Sequence, residues 1–505
     1  MASIGNTTVK NSISKLVITL IIMILLTATQ AVGREGNWIN IALSGNPVTQ
    51  DPKLVKDSLT LSVIHNTVFE CLVRYGGERN LAIEPALAIS WDIRDGGKTW
   101  IFTLRSGVRF HDGSLMTSTD VVESFKRDPN FTGKIDAVGA DRVRMVFREK
   151  RAGYAKNISQ VSSAVEKFLP DSTIVGTGPF RVSSWLQGES VELEAFDEYW
   201  GGRPKLDGVH FQCAVSAESA LKMMKSGETD VVDIVPPSLV QEFERDPTIE
   251  TSVMKGVNVS FVYLNLENPP LDSAEFRKAL NMLIHTDKII RDVHFDQAVS
   301  CRDVLPPVIG GKDDGPPRIQ YRPKVAKEVI AGYLKDSDRV FRMIGLPFPR
   351  PYCPEPAAQA RLIAGYLKGS GLKIEYQPAK SMQEYMQYMD NRDFDFMISG
   401  WVIDSRNPDD FFTALFGVGD VEPVFAVKWD NEEFESMIIQ ARQTVSVKRQ
   451  WDLYRAASGL FFEDLPWILI AHTNQIGAYR KVVEGLKFEP TSEFRLHDVT
   501  KRGFD

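Results

Sequence analysis

Between Arg339 and Asp404 the chain alternates short apolar runs with longer amphipathic ones: "RVFRMIGL", "PAAQARLIAGYLKGSG", "LKIEYQPA", "SMQEYMQYMDNRD" and "FDFMISGWV". The short runs predict strands, and the longer ones, apolar at helical spacing, predict helices. Ser381 and Glu384 fit a capping box at the start of the second helix. A βαβαβ order implies parallel strands joined by right-handed crossovers. In open sheets built this way, ligands sit outside the carboxyl ends of the strands.

Two oppositely charged residues fall on that rim. Arg350 follows the first strand inside "PFPRPYCPEP", which holds five prolines in ten residues. Pro349 and Pro351 flank it and leave its backbone little freedom, since proline fixes its own φ and pushes the preceding residue into extended geometry. Asp404 follows the third strand in "SGWVIDSRNPDDFF", just before an Asn407-Pro408 turn. The two could pair with each other, but the prolines and the turn favour fixed posts with space between. An extended dipeptide or tripeptide spans roughly 7 to 10 Å. A zwitterion of that length would place its amine on Asp404 and its carboxylate on Arg350, whose guanidinium can grip both oxygens. Gly400, Trp401 and Val402 could lend main-chain groups to an extended ligand, as in strand addition. Trp401 and Tyr352 are candidate pocket walls, with core packing the competing role for Trp401.

At 505 residues the chain exceeds the size at which single cores stop growing, so two or more lobes are expected. A formal charge of −7 with no basic stripe argues against a nucleic-acid partner. Lys10 and Lys15 precede the apolar run Leu16 to Thr29, and Ala31 and Gly33 offer a cleavage site before Arg34. That is the pattern of a secretory signal, too short for a comfortable membrane span. No cysteine follows the run until Cys71, so a lipid anchor is not expected and a free periplasmic protein is. Cys71, Cys213, Cys301 and Cys353 lie far apart, which allows one or two disulfides in an oxidising compartment but no zinc ribbon. Dispersed histidines give no metal motif.

Elsewhere the pattern is mixed. "WINIALS" predicts a strand ending in a turn, Ser44-Gly45-Asn46, that lobe one could offer to a ligand. Alternation on both sides of Asp95-Gly96-Gly97 predicts a hairpin. "GGKT" there is no phosphate loop, because Asp92 stands where that motif needs glycine and a strand follows. "STDVVESFKR" predicts a helix capped by Ser118 or Thr119. From "KLDGVHFQCAV" onward strands and helices alternate, and "GVNVSFVYLNLE" is long enough to run between two lobes.

These segments together resemble the family 5 extracellular solute-binding proteins of peptide ABC importers, and their dipeptide-binding members in particular. The likeness runs from about Trp38 to the C-terminus through "DGGKTWIFTLRSGVRFHDG", "GTGPF", "YWGGRPKLDGV", "SGETDVV", "VYLNLENPPLDSAEFRKAL", "RPYCPEP", "GWVIDSRNPDDFF" and "DLPWILIAH". It implies an α/β, two-lobed periplasmic-binding-protein fold of type II with an extra subdomain in lobe one. On that pattern residues 1–33 are a signal peptide, 34–257 lobe one with a subdomain at about 78–172, 258–478 lobe two, and 479–505 a return to lobe one. Crossings between lobes are expected near Lys255 to Phe261 and near Ile476 to Lys487. The resemblance assigns the peptide amine to Asp404 and the carboxylate to Arg350. It implies a monomer without cofactor that passes its ligand to an ABC permease and ATPase in the inner membrane.

Three features depart from the family pattern. Cys353 stands where the dipeptide group has asparagine, Arg406 lies close enough in sequence to neutralise Asp404, and the stretch from Asp128 to Asp171 is short. An amino-acid conjugate, an opine, a nickel chelate or haem are therefore alternative ligands. A secreted hydrolase lacks any supporting nucleophile or metal motif.

Overall fold

A computed structural model of the chain describes residues 36–55, 58–76, 83–151, 153–310, 319–335, 337–402, 407–419, 421, 423–425, 429–444, 446–489 and 493–503. The signal segment 1–33, Asp404 and Arg406 lie outside the described residues. Two sheets share one long strand, Ile468–Arg480, and each belongs to one lobe.

In lobe two, Val340–Gly345 lies between Lys373–Pro378 and Phe396–Val402 and pairs with both in parallel, as the alternation predicted. Helices Pro356–Lys368 and Met382–Asp390 connect them, and Ser381 Oγ accepts the Glu384 amide at 3.1 Å. Asn258–Leu264 then runs antiparallel between Phe396–Val402 and Ile468–Ala471. Every residue of Asn258–Leu264 is buried, which suits a central strand covered on both faces. Trp467 anchors this core, stacked on Phe261 at 4.5 Å and on Phe416 at 4.7 Å.

In lobe one, Trp38–Ala42 runs parallel to Gly208–Gln212 on one side and Val231–Val232 on the other. An antiparallel subdomain of Ala88–Arg94, Thr99–Leu104, Lys134–Ala137 and Arg142–Val146 has its own core around Trp100, Phe102 and Phe125. Its first two strands form the hairpin expected around Asp95-Gly96-Gly97, with Gly96 at φ 63°. The helix Ser118–Arg127 is capped one residue earlier than expected, by Thr117, whose amide and hydroxyl both donate to Asp120 at 2.7 and 2.6 Å.

The chain crosses between sheets at two adjacent points. Lys255 pairs with Asn474 in one sheet and Asn258 opens the next strand in the other, so the first crossing is Gly256-Val257. The second lies between Ala471, paired with Ser260, and Asn474, upstream of the 476–487 expected from sequence. "ILIAHTNQIGAYR" is one uninterrupted strand, so no break in pattern marks the exchange. Here the buried Asn258 amide donates to the Thr473 carbonyl at 3.0 Å and accepts the Thr473 N–H at 2.9 Å. A side chain at Gly256 would collide with Asn258 Nδ2 at 2.0 Å, which explains the glycine.

The four cysteines are free and buried, so the disulfides allowed by sequence do not form. Cys71 and Cys213 fill the lobe-one core, and Cys301 and Cys353 fill that of lobe two. They fill these cores as small residues, and the Cys71 thiol also donates to the Gln160 carbonyl at 3.0 Å.

Candidate functional site

Arg350 sits in a tight turn just past its strand. Its N–H donates to the Cys353 carbonyl at 3.1 Å, and the Cys353 N–H donates back at 2.8 Å. The Thr473 hydroxyl donates to the Pro351 carbonyl at 2.5 Å, which fastens the turn to the crossing strand. The guanidinium carbon lies 5.9 Å from the rings of both Phe348 and Tyr352. Among the described residues no carboxylate pairs with it, and its Nε is buried without a hydrogen-bond partner. Cys353, the departure from the family's asparagine, is fully buried under the turn.

Tyr352 is only 6% exposed and packs over Gly400. A Cβ on Gly400 would lie 2.3 Å from the Tyr352 ring and 2.5 Å from the Val259 carbonyl, so glycine is required there for close approach. Burial pushes the Tyr352 phenol up, with Arg350 pulling the other way. Trp401, next along the strand, faces the opposite side and meets Phe425 edge-on at 6.4 Å. It packs against the core, and its indole N–H is buried with no partner among the described residues. Val402 also packs against that core. The parallel pairing with Val340–Gly345 covers only Phe396 and Met397. Beyond them, Gly400, Trp401 and Val402 have no ladder partner on that edge among the described strands.

Lobe one behaves differently. Ser44 donates its N–H to Asp233 at 3.0 Å and its hydroxyl to the same carboxylate at 2.9 Å. The Ile234 N–H adds a third bond at 2.7 Å. The Gly45 carbonyl accepts from the Ala214 amide at 3.1 Å, and Asn46 is exposed. The Ser44 amide and hydroxyl and the Gly45 carbonyl are thus engaged within lobe one, while Asn46 stays exposed. Burial raises the Asp233 carboxyl to about 6, against the pull of those hydrogen bonds.

Asp233 was not singled out from sequence. The signal was present, because Trp38–Ala42 and Val231–Val232 are parallel neighbours, and Ser44 and Asp233 both lie just past their carboxyl ends. A cavity of about 20 Å³ joins Asp233 and Leu59 of lobe one to Pro351 and to Gln475 of the crossing strand. The Arg350 turn and the Ser44–Asp233 clamp thus meet at the junction of the lobes. Polar bridges also span the cleft: Gln160 donates to Asp410 at 2.7 Å, Gln443 to Glu149 at 3.0 Å, and Asn157 and Ser238 to Asp410 and Glu355.

Residues 82–422 match the model of the bacterial extracellular solute-binding proteins, family 5 (middle region), and the chain belongs to that family. It is 25% identical to the dipeptide-binding protein of Escherichia coli K12 over 537 aligned positions, 97% of this chain and 98% of the relative. Heme-binding protein A of Haemophilus influenzae is likewise 25% identical, over 522 aligned positions and 94% of each chain. The crystal structure of a dipeptide-binding protein from Pseudoalteromonas sp. SM9913 in complex with Met-Leu superimposes with a TM-score of 0.83 at 21% identity, covering 92% of this chain and 100% of that one. The fold is the type II periplasmic-binding-protein architecture that the resemblance implied. Among the described residues no helix is long and apolar enough to cross a membrane.

Proposed function

We propose that this protein captures short peptides, dipeptide-like zwitterions, in the periplasm and delivers them to the permease and ATPase of an ABC importer. The observation that carries the reading is Arg350, a cation held on a proline-bound turn at the strand ends with no carboxylate partner among the described residues. A ligand carboxylate supplies that partner, and the ligand amine is assigned to Asp404. In this reading residues 1–33 are a removed signal, 34–257 and 479–505 form lobe one, and 258–478 form lobe two. A ligand that touches both lobes favours the closed arrangement by its differential affinity, and rotation occurs at Gly256-Val257 and at residues 472–474. The permease then distinguishes a loaded monomer from an empty one, and no covalent bond changes.

Calorimetry of the mature protein against a dipeptide panel tests the reading, together with Arg350→Ala and Asp404→Asn. Each substitution is expected to weaken binding by about tenfold or more, the worth of a charge-assisted contact. Unchanged affinity in both variants removes the peptide assignment.

A further inference from the structure

A second chamber, of about 180 Å³, lies between the lobes. One wall is the lobe-one segment that holds Tyr154, Lys156 and Asn157. The other comes from lobe two and includes Asn407, Arg442 and Tyr454. Asn407, on its wall, lies three residues past Asp404 in sequence, the residue to which the ligand amine is assigned.

Tyr154 and Tyr454 are only 4% and 5% exposed, yet both line the chamber, and neither hydroxyl is hydrogen-bonded to a described residue. Lys156 is half-buried and makes no hydrogen bond or ion pair with a described residue, although it feels the charge of Asp410. The nearby acids are already engaged. Asp409 accepts from Arg442 Nε at 3.0 Å, and Asp410 accepts from Gln160 and Asn157 across the cleft. Arg442 gives Nη2 to Thr413 at 2.9 Å. Two phenols and an ammonium therefore line the space without a hydrogen bond to a described residue, while the carboxylates beside them are engaged. Polar groups in a confined space are normally hydrogen-bonded, to water or to a bound molecule where the protein supplies no partner.

We propose that this chamber is a specificity subsite for a carboxylate carried by the ligand beyond its terminal groups, held by Lys156 and the hydroxyls of Tyr154 and Tyr454. The inference rests on the reading of the protein as a binder of small zwitterions. It makes acidic side chains, at the amino-terminal residue first of all, the preferred cargo.

The test compares Glu-Ala with Gln-Ala, which differ only in the charge of one group, by calorimetry on the mature protein and on Lys156→Met, Tyr154→Phe and Tyr454→Phe. The wild type is expected to prefer Glu-Ala by about tenfold. Lys156→Met should bring that ratio near one, and each Tyr→Phe change, which keeps the ring packing, should lower it severalfold. Equal affinities in the wild type, or a ratio that survives all three changes, overturn the subsite. If neither dipeptide binds, the peptide reading fails. The subsite is then judged on glutarate and N-acetylglutamate: binding lost in Lys156→Met and reduced in the Tyr→Phe variants supports it, and no binding or no dependence refutes it.

Discussion

The two rims that meet at the cleft use their polar groups in opposite ways. In lobe one, Ser44 spends its amide and hydroxyl on Asp233, and Ile234 adds a third donor. In lobe two, Arg350 is fixed by backbone hydrogen bonds on both sides of its turn while its guanidinium remains without a described carboxylate. The first arrangement stiffens a loop. The second holds a cation in place by prolines, by Thr473 and by Tyr352 packed on Gly400, with no carboxylate partner among the described residues. In the Ser44 turn, a candidate ligand contact from sequence, Ser44 is engaged by Asp233 while Asn46 remains exposed.

This contrast can be broken from either side. The largest effect is expected from Gly400→Val, which drives a side chain into Tyr352 and the Val259 carbonyl. Overpacking of this kind costs about 1–3 kcal/mol, and the displaced turn should abolish ligand binding as well. Thermal melts and calorimetry read the two losses. Next, Arg350→Ala should lower affinity by about 1.5–3 kcal/mol while shifting unfolding by less than about 1 kcal/mol, since no ion pair with a described residue is lost. The mirror image is Asp233→Ala, which strands three donors. It should cost about 1–3 kcal/mol in denaturant unfolding, with any loss of affinity following from the loosened loop.

Asp233 also sharpens the contrast through pH. Its folded value, about 6, lies above that of an ordinary carboxyl. A group raised on folding adds stability that is fully present below its unfolded pKa and is lost as pH rises through the folded one. Between about pH 4 and pH 7 the wild type should therefore lose up to about 3 kcal/mol relative to Asp233→Asn, which cannot ionise. Parallel curves would show that the clamp does not titrate. The smallest effect is expected from Thr473→Val, which removes the hydroxyl that ties the Arg350 turn to the crossing strand. About 0.5–1.5 kcal/mol of stability should go, with a smaller loss of affinity than Arg350→Ala gives.

Much of lobe two was legible because its signals are local. The alternation from Arg339 to Val402 encodes strands and helices directly, and parallel pairing follows from their order. Arg350 could be placed on the rim because prolines restrict the backbone whatever the rest of the chain does. Gly400 was read as a main-chain contributor, and the structure adds that Tyr352 needs the space above it. What could not be read depends on residues distant in sequence. Asp233 matters only because Val231–Val232 lies beside Trp38–Ala42. The second crossing hides inside an unbroken strand, and the cysteines could not be assigned to separate cores from their spacing. Tyr154 and Tyr454, far apart in sequence, come to line one chamber only in the folded chain.

The most direct measurement compares a dipeptide with its C-terminal carboxamide, titrated into the wild type and into Arg350→Ala. If Arg350 holds the ligand carboxylate, amidation weakens binding to the wild type by about tenfold or more and makes little further difference once the arginine is gone. Equal affinity of the acid and the amide for the wild type would contradict the account.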